Sequence, residues 1–127
     1  MTAEKPKVLA VDDHDVNLRL LSFILREAGF APLTADDGDE VTGVLDEHPD
    51  TAAILLDRMM PHVDGLDALK HLKNLPAYQH IPVIMISAAW SAAQEAEALQ
   101  AGAYAYMPKP YDKVKIINTL KAALEKK

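Results

Sequence analysis

Five short apolar runs punctuate the chain: KVLAV at 7–11, APLTA at 31–35, AAILL at 52–56, PVIMIS at 82–87 and AYAYM at 103–107. Runs of this length, bounded by turn-forming residues, predict strands. The stretches between them have a helical period instead. In DVNLRLLSFILREAG, Val16, Leu20, Ile24 and Ala28 recur every fourth position, Leu21 and Leu25 widen the stripe, and Gly29 supplies a stop. Further helices are predicted over 39–47, 66–75, 91–101 and 112–126, the first of these interrupted by Gly43.

Strict alternation of strand and helix calls for a parallel sheet covered on both faces, because right-handed crossovers place the helices there. The predicted class is α/β, a doubly wound five-stranded parallel sheet. Ligands of such sheets sit beyond the carboxyl ends of the strands, where the strand order reverses. The chemistry of the chain should therefore be sought at its five strand ends.

Composition narrows the choice of chemistry. The chain has 127 residues, half of them hydrophobic and a quarter charged, which suits one soluble globular domain with a full core. It has no cysteine, which excludes disulfides, thiol catalysis and thiolate metal sites. A cytoplasmic setting is expected. The net charge of −6 counts against general nucleic-acid binding, and the lysines gathered between Lys113 and Lys127 suit a helix C-terminus. No apolar run is long enough to cross a membrane, and MTAEKPK is not followed by a signal-peptide core.

The strand ends carry Asp12 and Asp13 after the first run, Asp57 after the third, Ser87 after the fourth, and Lys109-Pro110 after the fifth. Each has a plain structural reading: Asp12, Asp13, Asp57 and Ser87 as helix caps, Lys109 as a solvated loop lysine. Together they place three carboxylates, a hydroxyl and an ammonium on one edge. Carboxylates so gathered repel one another and require a cation. Oxygen ligands without a histidine or cysteine cluster favour Mg2+, which takes few carboxylates and shares a phosphate oxygen. With that ion present, a carboxylate oxygen of Asp57 could attack a phosphoryl group. The ion, Lys109 and the Ser87 hydroxyl with backbone N–H groups would then divide the three equatorial oxygens.

The text VLAVDDHDVN, ILLDRMMPHVDG, PVIMISA and AGAYAYMPKPY resembles the receiver domain of two-component response regulators, including single-domain chemotaxis-type regulators, over essentially the whole chain. The resemblance implies a flavodoxin-like (βα)5 fold of strand order 2-1-3-4-5. It implies one receiver domain over 1–127, with no output domain in this chain. Asp57 would be the phospho-acceptor, and Asp12, Asp13, Asp57 and the main-chain carbonyl of Met59 would hold Mg2+, for which Mn2+ can substitute. Lys109 would contact the phosphoryl group and Ser87 would move toward it. Tyr106 would be the aromatic switch, turning from exposed to buried, with Tyr104 as the competing aromatic. Pro110 would follow Lys109 through a cis bond that aims the lysine inward. Gly65 would close the loop after Asp57, by a positive φ or a close backbone approach.

By the same resemblance the phosphoryl donor is a histidine kinase or histidine phosphotransfer protein. The output is a downstream protein bound by the face of the fourth helix, fifth strand and fifth helix, with the chain a monomer or a phosphorylation-dependent dimer. No direct nucleic-acid or membrane partner is expected. The chain would not be an enzyme beyond its own phosphotransfer and slow autodephosphorylation. Met59 and Ala89, which tune that decay in the family, cannot hold a water by hydrogen bonds here.

Trp90 is a candidate reporter of the switch. The five histidines lack metal-ligand spacing, although His14 and His62 should lie near the acidic cluster. Two other classes compete. An aspartate-nucleophile phosphohydrolase of the haloacid-dehalogenase type wants a second aspartate two residues on, where Met59 stands. A flavin or nucleotide binder wants glycines after the first strand, where Asp12-Asp13 would repel phosphate.

Overall fold

The computed structural model describes residues 5–60, 63–109 and 111–125. Its elements are β1 (Lys7–Val11), α1 (Asp15–Glu27), β2 (Ala31–Ala35), α2 (Val41–Glu47), β3 (Thr51–Asp57), α3 (Gly65–Lys73), β4 (Val83–Ser87), α4 (Ala92–Gln100), β5 (Ala105–Pro108) and α5 (Lys113–Glu125). A single 3-10 turn, Gly38–Glu40, leads into α2. Gly43 does not break α2, and a side chain added there would meet nothing nearby.

All strands are parallel, in the order β2-β1-β3-β4-β5. The period of two sends alternate strand residues to opposite faces. Leu9, Val11, Ile54, Leu56, Val83 and Met85 enter one core layer with Val41 and Leu45 of α2, Leu66, Leu69 and Leu72 of α3, and Ala98 of α4. Val8, Ala10, Ala53, Leu55, Ile84 and Ile86 enter the other, with Leu18, Leu21 and Leu25 of α1 and Ile116 and Leu120 of α5. Sandwiched between both layers, β3 is buried along its whole length. This is why its sequence reads as a continuous apolar run rather than an alternation.

The strand order reverses between β1 and β3, where the first crossover leads outward to β2 and the later ones lead the other way. Val11 pairs with Leu56, so Asp12 and Asp57 leave adjacent strands side by side at that crevice. Asp57 pairs with Ile86 and Ser87 with Pro108, which carries the same edge across to β5.

Two glycines meet local demands. Gly29 takes φ 92° just past α1 and ends it. Gly65, at the start of α3, has a negative φ, and its requirement is close approach: an added Cβ would lie 2.6 Å from Arg58 Cα and still nearer the Asp57 carbonyl oxygen. Its N–H donates to the Arg58 oxygen at 2.7 Å, which clamps α3 against the strand end.

Candidate functional site

Helix capping is assigned to other residues than the strand-end ones. Asp64 Oδ1 accepts the Leu66 N–H at the start of α3, and Ser91 Oγ accepts the Gln94 N–H at the start of α4. The N-cap of α1 is His14, without a side-chain capping bond. Asp12, Asp57 and Ser87 are thus free of the structural task that would have explained them away.

Asp12 is fully buried and accepts four hydrogen bonds, three of them on one oxygen. Its Oδ1 accepts the His14 N–H at 2.9 Å. Its Oδ2 accepts from Asn17 Nδ2 at 3.1 Å, Lys109 Nζ at 3.2 Å and the Tyr111 hydroxyl at 2.7 Å. Burial alone would push its pKa up, but the Tyr111 and His14 hydrogen bonds and the charge of Lys109 outweigh it and hold the pKa below the ordinary value. Asp57, 4% exposed, is the opposite case. Burial, reinforced by repulsion from Asp12, raises its pKa, against the pull of Lys109 and the Met59 N–H.

Lys109 Nζ stands between the two, 3.2 Å from Asp12 Oδ2 and 3.4 Å from Asp57 Oδ2. Asp13 turns toward the surface, and His14 Nδ1 lies 3.1 Å from its Oδ1 and 3.4 Å from Asp12 Oδ1. Asp12, Asp13 and His14 offer ligand atoms within 4.8 Å of one another. One lysine does not balance three carboxylates, and a hard divalent cation suits the oxygen donors Asp12, Asp13 and Asp57. The residues present therefore fit Mg2+, with the His14 imidazole at the rim.

A cleft of about 570 Å³ opens beside them, lined among others by Asp13, Arg58, Met59, Ser87, Ala89 and Gln94. Met59 and Ala89 are exposed there, and Met59 contributes its N–H to Asp57 Oδ1 at 3.4 Å. Ser87 is fully buried, its Oγ accepting the Ala89 N–H at 3.1 Å. The Ser87 carbonyl accepts the Lys109 N–H at 2.9 Å, which ties the fourth strand end to the fifth.

Tyr106 faces inward from β5. Its ring is buried at 6% exposure, packed in the core layer below α4 and paired along the sheet with Met85. Its hydroxyl has no hydrogen-bond partner among the described residues, although it lies within electrostatic reach of the Arg58 guanidinium. Tyr104 is half-buried against the opposite core layer. Trp90 is half-exposed and donates to Glu95 Oε1 at 2.7 Å. Pro110 and His62 lie outside the described residues.

Sequence reasoning missed Asn17, Arg58 and Tyr111. Tyr111 stood in the quoted AGAYAYMPKPY text, but nothing in spacing says that a tyrosine beyond the strand will reach back to Asp12. Arg58 directly follows Asp57, yet its partners are on α4, far along the chain.

Two buried carboxylates bridged by a lysine thus stand at the switch point of a doubly wound 2-1-3-4-5 sheet. The chain belongs to the response regulator receiver domain family, whose model matches residues 8–121. It is 32% identical over 120 residues to the phosphate regulon transcriptional regulatory protein PhoB of Escherichia coli, a match covering 94% of this chain and 52% of PhoB. The chain thus spans about half the length of that relative. It is 33% identical over 118 residues to the polar-differentiation response regulator DivK of Brucella anthropi, covering 92% of this chain and 94% of DivK. Among solved structures, the CheX-CheY-BeF3-Mg+2 complex from Borrelia burgdorferi matches with a TM-score of 0.86 and 30% identity, over 92% of this chain and 87% of that one. No helix among the described residues is long and apolar enough to cross a membrane.

Proposed function

We propose that this chain is a phosphorylation-dependent signalling receiver that accepts a phosphoryl group on Asp57 from a phosphohistidine of a histidine kinase or histidine phosphotransfer protein. The observation that carries the reading is the Lys109 bridge, 3.2 Å from Asp12 and 3.4 Å from Asp57, with both carboxylates buried at one strand edge. A carboxylate whose pKa is raised by burial is more basic and a better nucleophile than a solvated one.

In the transfer, an Asp57 carboxylate oxygen forms a bond to phosphorus as the phosphorus–nitrogen bond to imidazole breaks. The imidazole nitrogen leaves with the bonding pair and takes a proton. Asp12, Asp13, Asp57 and the Met59 carbonyl would hold Mg2+, or Mn2+ in its place, and the ion supplies charge neutralisation for the phosphoryl oxygens. Lys109 moves from the carboxylates to a phosphoryl oxygen, and the Ser87 hydroxyl gives up the Ala89 N–H to reach another. Loss of that bond alters the β4–α4 connection and so the face formed by α4, β5 and α5, where a downstream protein would dock.

The role is that of a receiver acting once on itself, not of an enzyme turning over substrate, in the cytoplasm. The domesticated test is intact mass after incubation with Mg2+ and acetyl phosphate. An adduct of one phosphoryl group that requires Mg2+ and is absent from Asp57→Asn is expected. An adduct of equal yield on Asp57→Asn, or none on the native chain while a control receiver is labelled, would sink the reading.

A further inference from the structure

Asp12 carries four donors, as many as a carboxylate has lone-pair positions, and the shortest bond comes from Tyr111. Tyr111 also touches the lysine: Lys109 Nζ lies 5.7 Å from the centroid of its ring, within cation–π range. One side chain therefore holds the buried carboxylate by its hydroxyl and seats the neighbouring cation on its face.

We propose that Tyr111 is a positioning residue of the phospho-acceptor site, its hydroxyl fixing Asp12 for the divalent ion and its ring holding Lys109 in reach of Asp57. The inference rests on the receiver reading above and adds a residue to it. In the transfer proposed above, Lys109 leaves Asp12 for a phosphoryl oxygen on Asp57. When it leaves, the buried oxygen keeps only neutral donors, Asn17 and Tyr111. A hydroxyl does not repel a cation, so Tyr111 can remain while the ion binds and Lys109 is released. Hydrogen bonds to ligating carboxylates orient them and support affinity. The ring, meanwhile, limits how far the freed ammonium can swing.

The two contacts come apart in two substitutions. Tyr111→Phe keeps the ring and loses the hydroxyl; Tyr111→Leu loses both. Mg2+ affinity is measured by calorimetric titration of the whole chain, and labelling by acetyl phosphate is followed as a function of Mg2+ concentration. Tyr111→Phe is expected to bind Mg2+ about tenfold more weakly. Its labelling curve should shift to higher Mg2+ by the same factor and reach the native plateau. Tyr111→Leu should show that shift and a plateau severalfold lower. A merely structural role would lower thermal stability and leave the Mg2+ affinity of the folded protein alone.

Affinity of Tyr111→Phe within twofold of native would overturn the hydroxyl's role. Equal plateaus for the two variants would overturn the ring's. Failure of the native chain to bind Mg2+ would instead overturn the metal reading itself, and this inference with it; binding without labelling would overturn the phospho-acceptor reading while leaving the hydroxyl's role to the titration.

Discussion

Arg58 donates to Glu97 Oε1 at 2.6 Å, tying the residue after Asp57 to α4, and a second guanidinium nitrogen donates to the Gln94 carbonyl at 3.3 Å. The pair is lopsided: the Arg58 side chain is 11% exposed and that of Glu97 53%. Glu97→Ala strands a mostly buried cation, whereas Arg58→Met replaces it with an apolar chain of similar length. Glu97→Ala should therefore cost about 1–2 kcal/mol and Arg58→Met less, whereas a symmetric surface pair would lose about equally from either side. Urea unfolding of the two variants measures it, and hydrogen exchange should show α4 opening more readily in both.

The opposed pKa shifts of Asp12 and Asp57 set a pH dependence. Asp12, held below its ordinary value, contributes stability that is present above the unfolded pKa and lost as pH falls through its folded one. Asp57, raised, works the other way. Between its unfolded and folded values the native chain holds the extra proton, so stability attributable to Asp57 declines as pH rises through that window. Asp57→Asn should thus be more stable than the native chain at pH 7 without metal, by an amount on the order of 1 kcal/mol. The gain should shrink as the pH is lowered through the Asp57 titration. Denaturant midpoints at a series of pH values test this, and a gain that grows on acidification would contradict it.

Much of this site was legible because strands end where their apolar runs end. Asp12, Asp57, Ser87 and Lys109 could be placed on one edge by that rule alone, and the edge is where they lie. Which carboxylate would collect the hydrogen-bond donors and which would not was not legible. That depends on Asn17 of α1 and on Tyr111, whose reach is set by loop geometry rather than by period. The inward orientation of Tyr106 rests on contacts of the same kind. A strand tyrosine's rotamer is decided by the space beneath α4 and the Arg58 guanidinium beside it, contacts between segments distant along the chain.

Gly65 offers a sharper stability test. A methyl group there must displace main-chain atoms of Asp57 and Arg58 rather than a flexible side chain. Gly65→Ala should cost about 3 kcal/mol, at the upper end for overpacking, because backbone yields little. It should also slow phosphoryl labelling of the fraction that remains folded, since the atoms pushed are those that carry the acceptor. Gly43→Ala is the contrast. With open space around it in α2, it should stabilise the fold by up to about 1 kcal/mol through helix propensity. Thermal midpoints of the two variants, moving in opposite directions, would separate close approach from a general intolerance of glycine replacement.

The lifetime of a phosphoryl group on Asp57 should be governed by the mouth of the cleft. Met59 is 60% exposed there and Ala89 stands on the facing loop, and neither side chain can hold a water by a conventional hydrogen bond. An attacking water must find its line unaided, at an entropic cost that a fixed partner would remove. Met59→Asn supplies an amide at that rim without touching Asp12, Lys109 or Tyr111. It should shorten the half-life of the adduct roughly tenfold, less than full proton transfer would achieve, because an amide orients a water but does not take its proton. The decay is followed by intact mass after the phosphodonor is removed. An unchanged decay rate in Met59→Asn would place the barrier elsewhere, in the grip of Lys109 and Ser87 on the phosphoryl oxygens rather than in access of water.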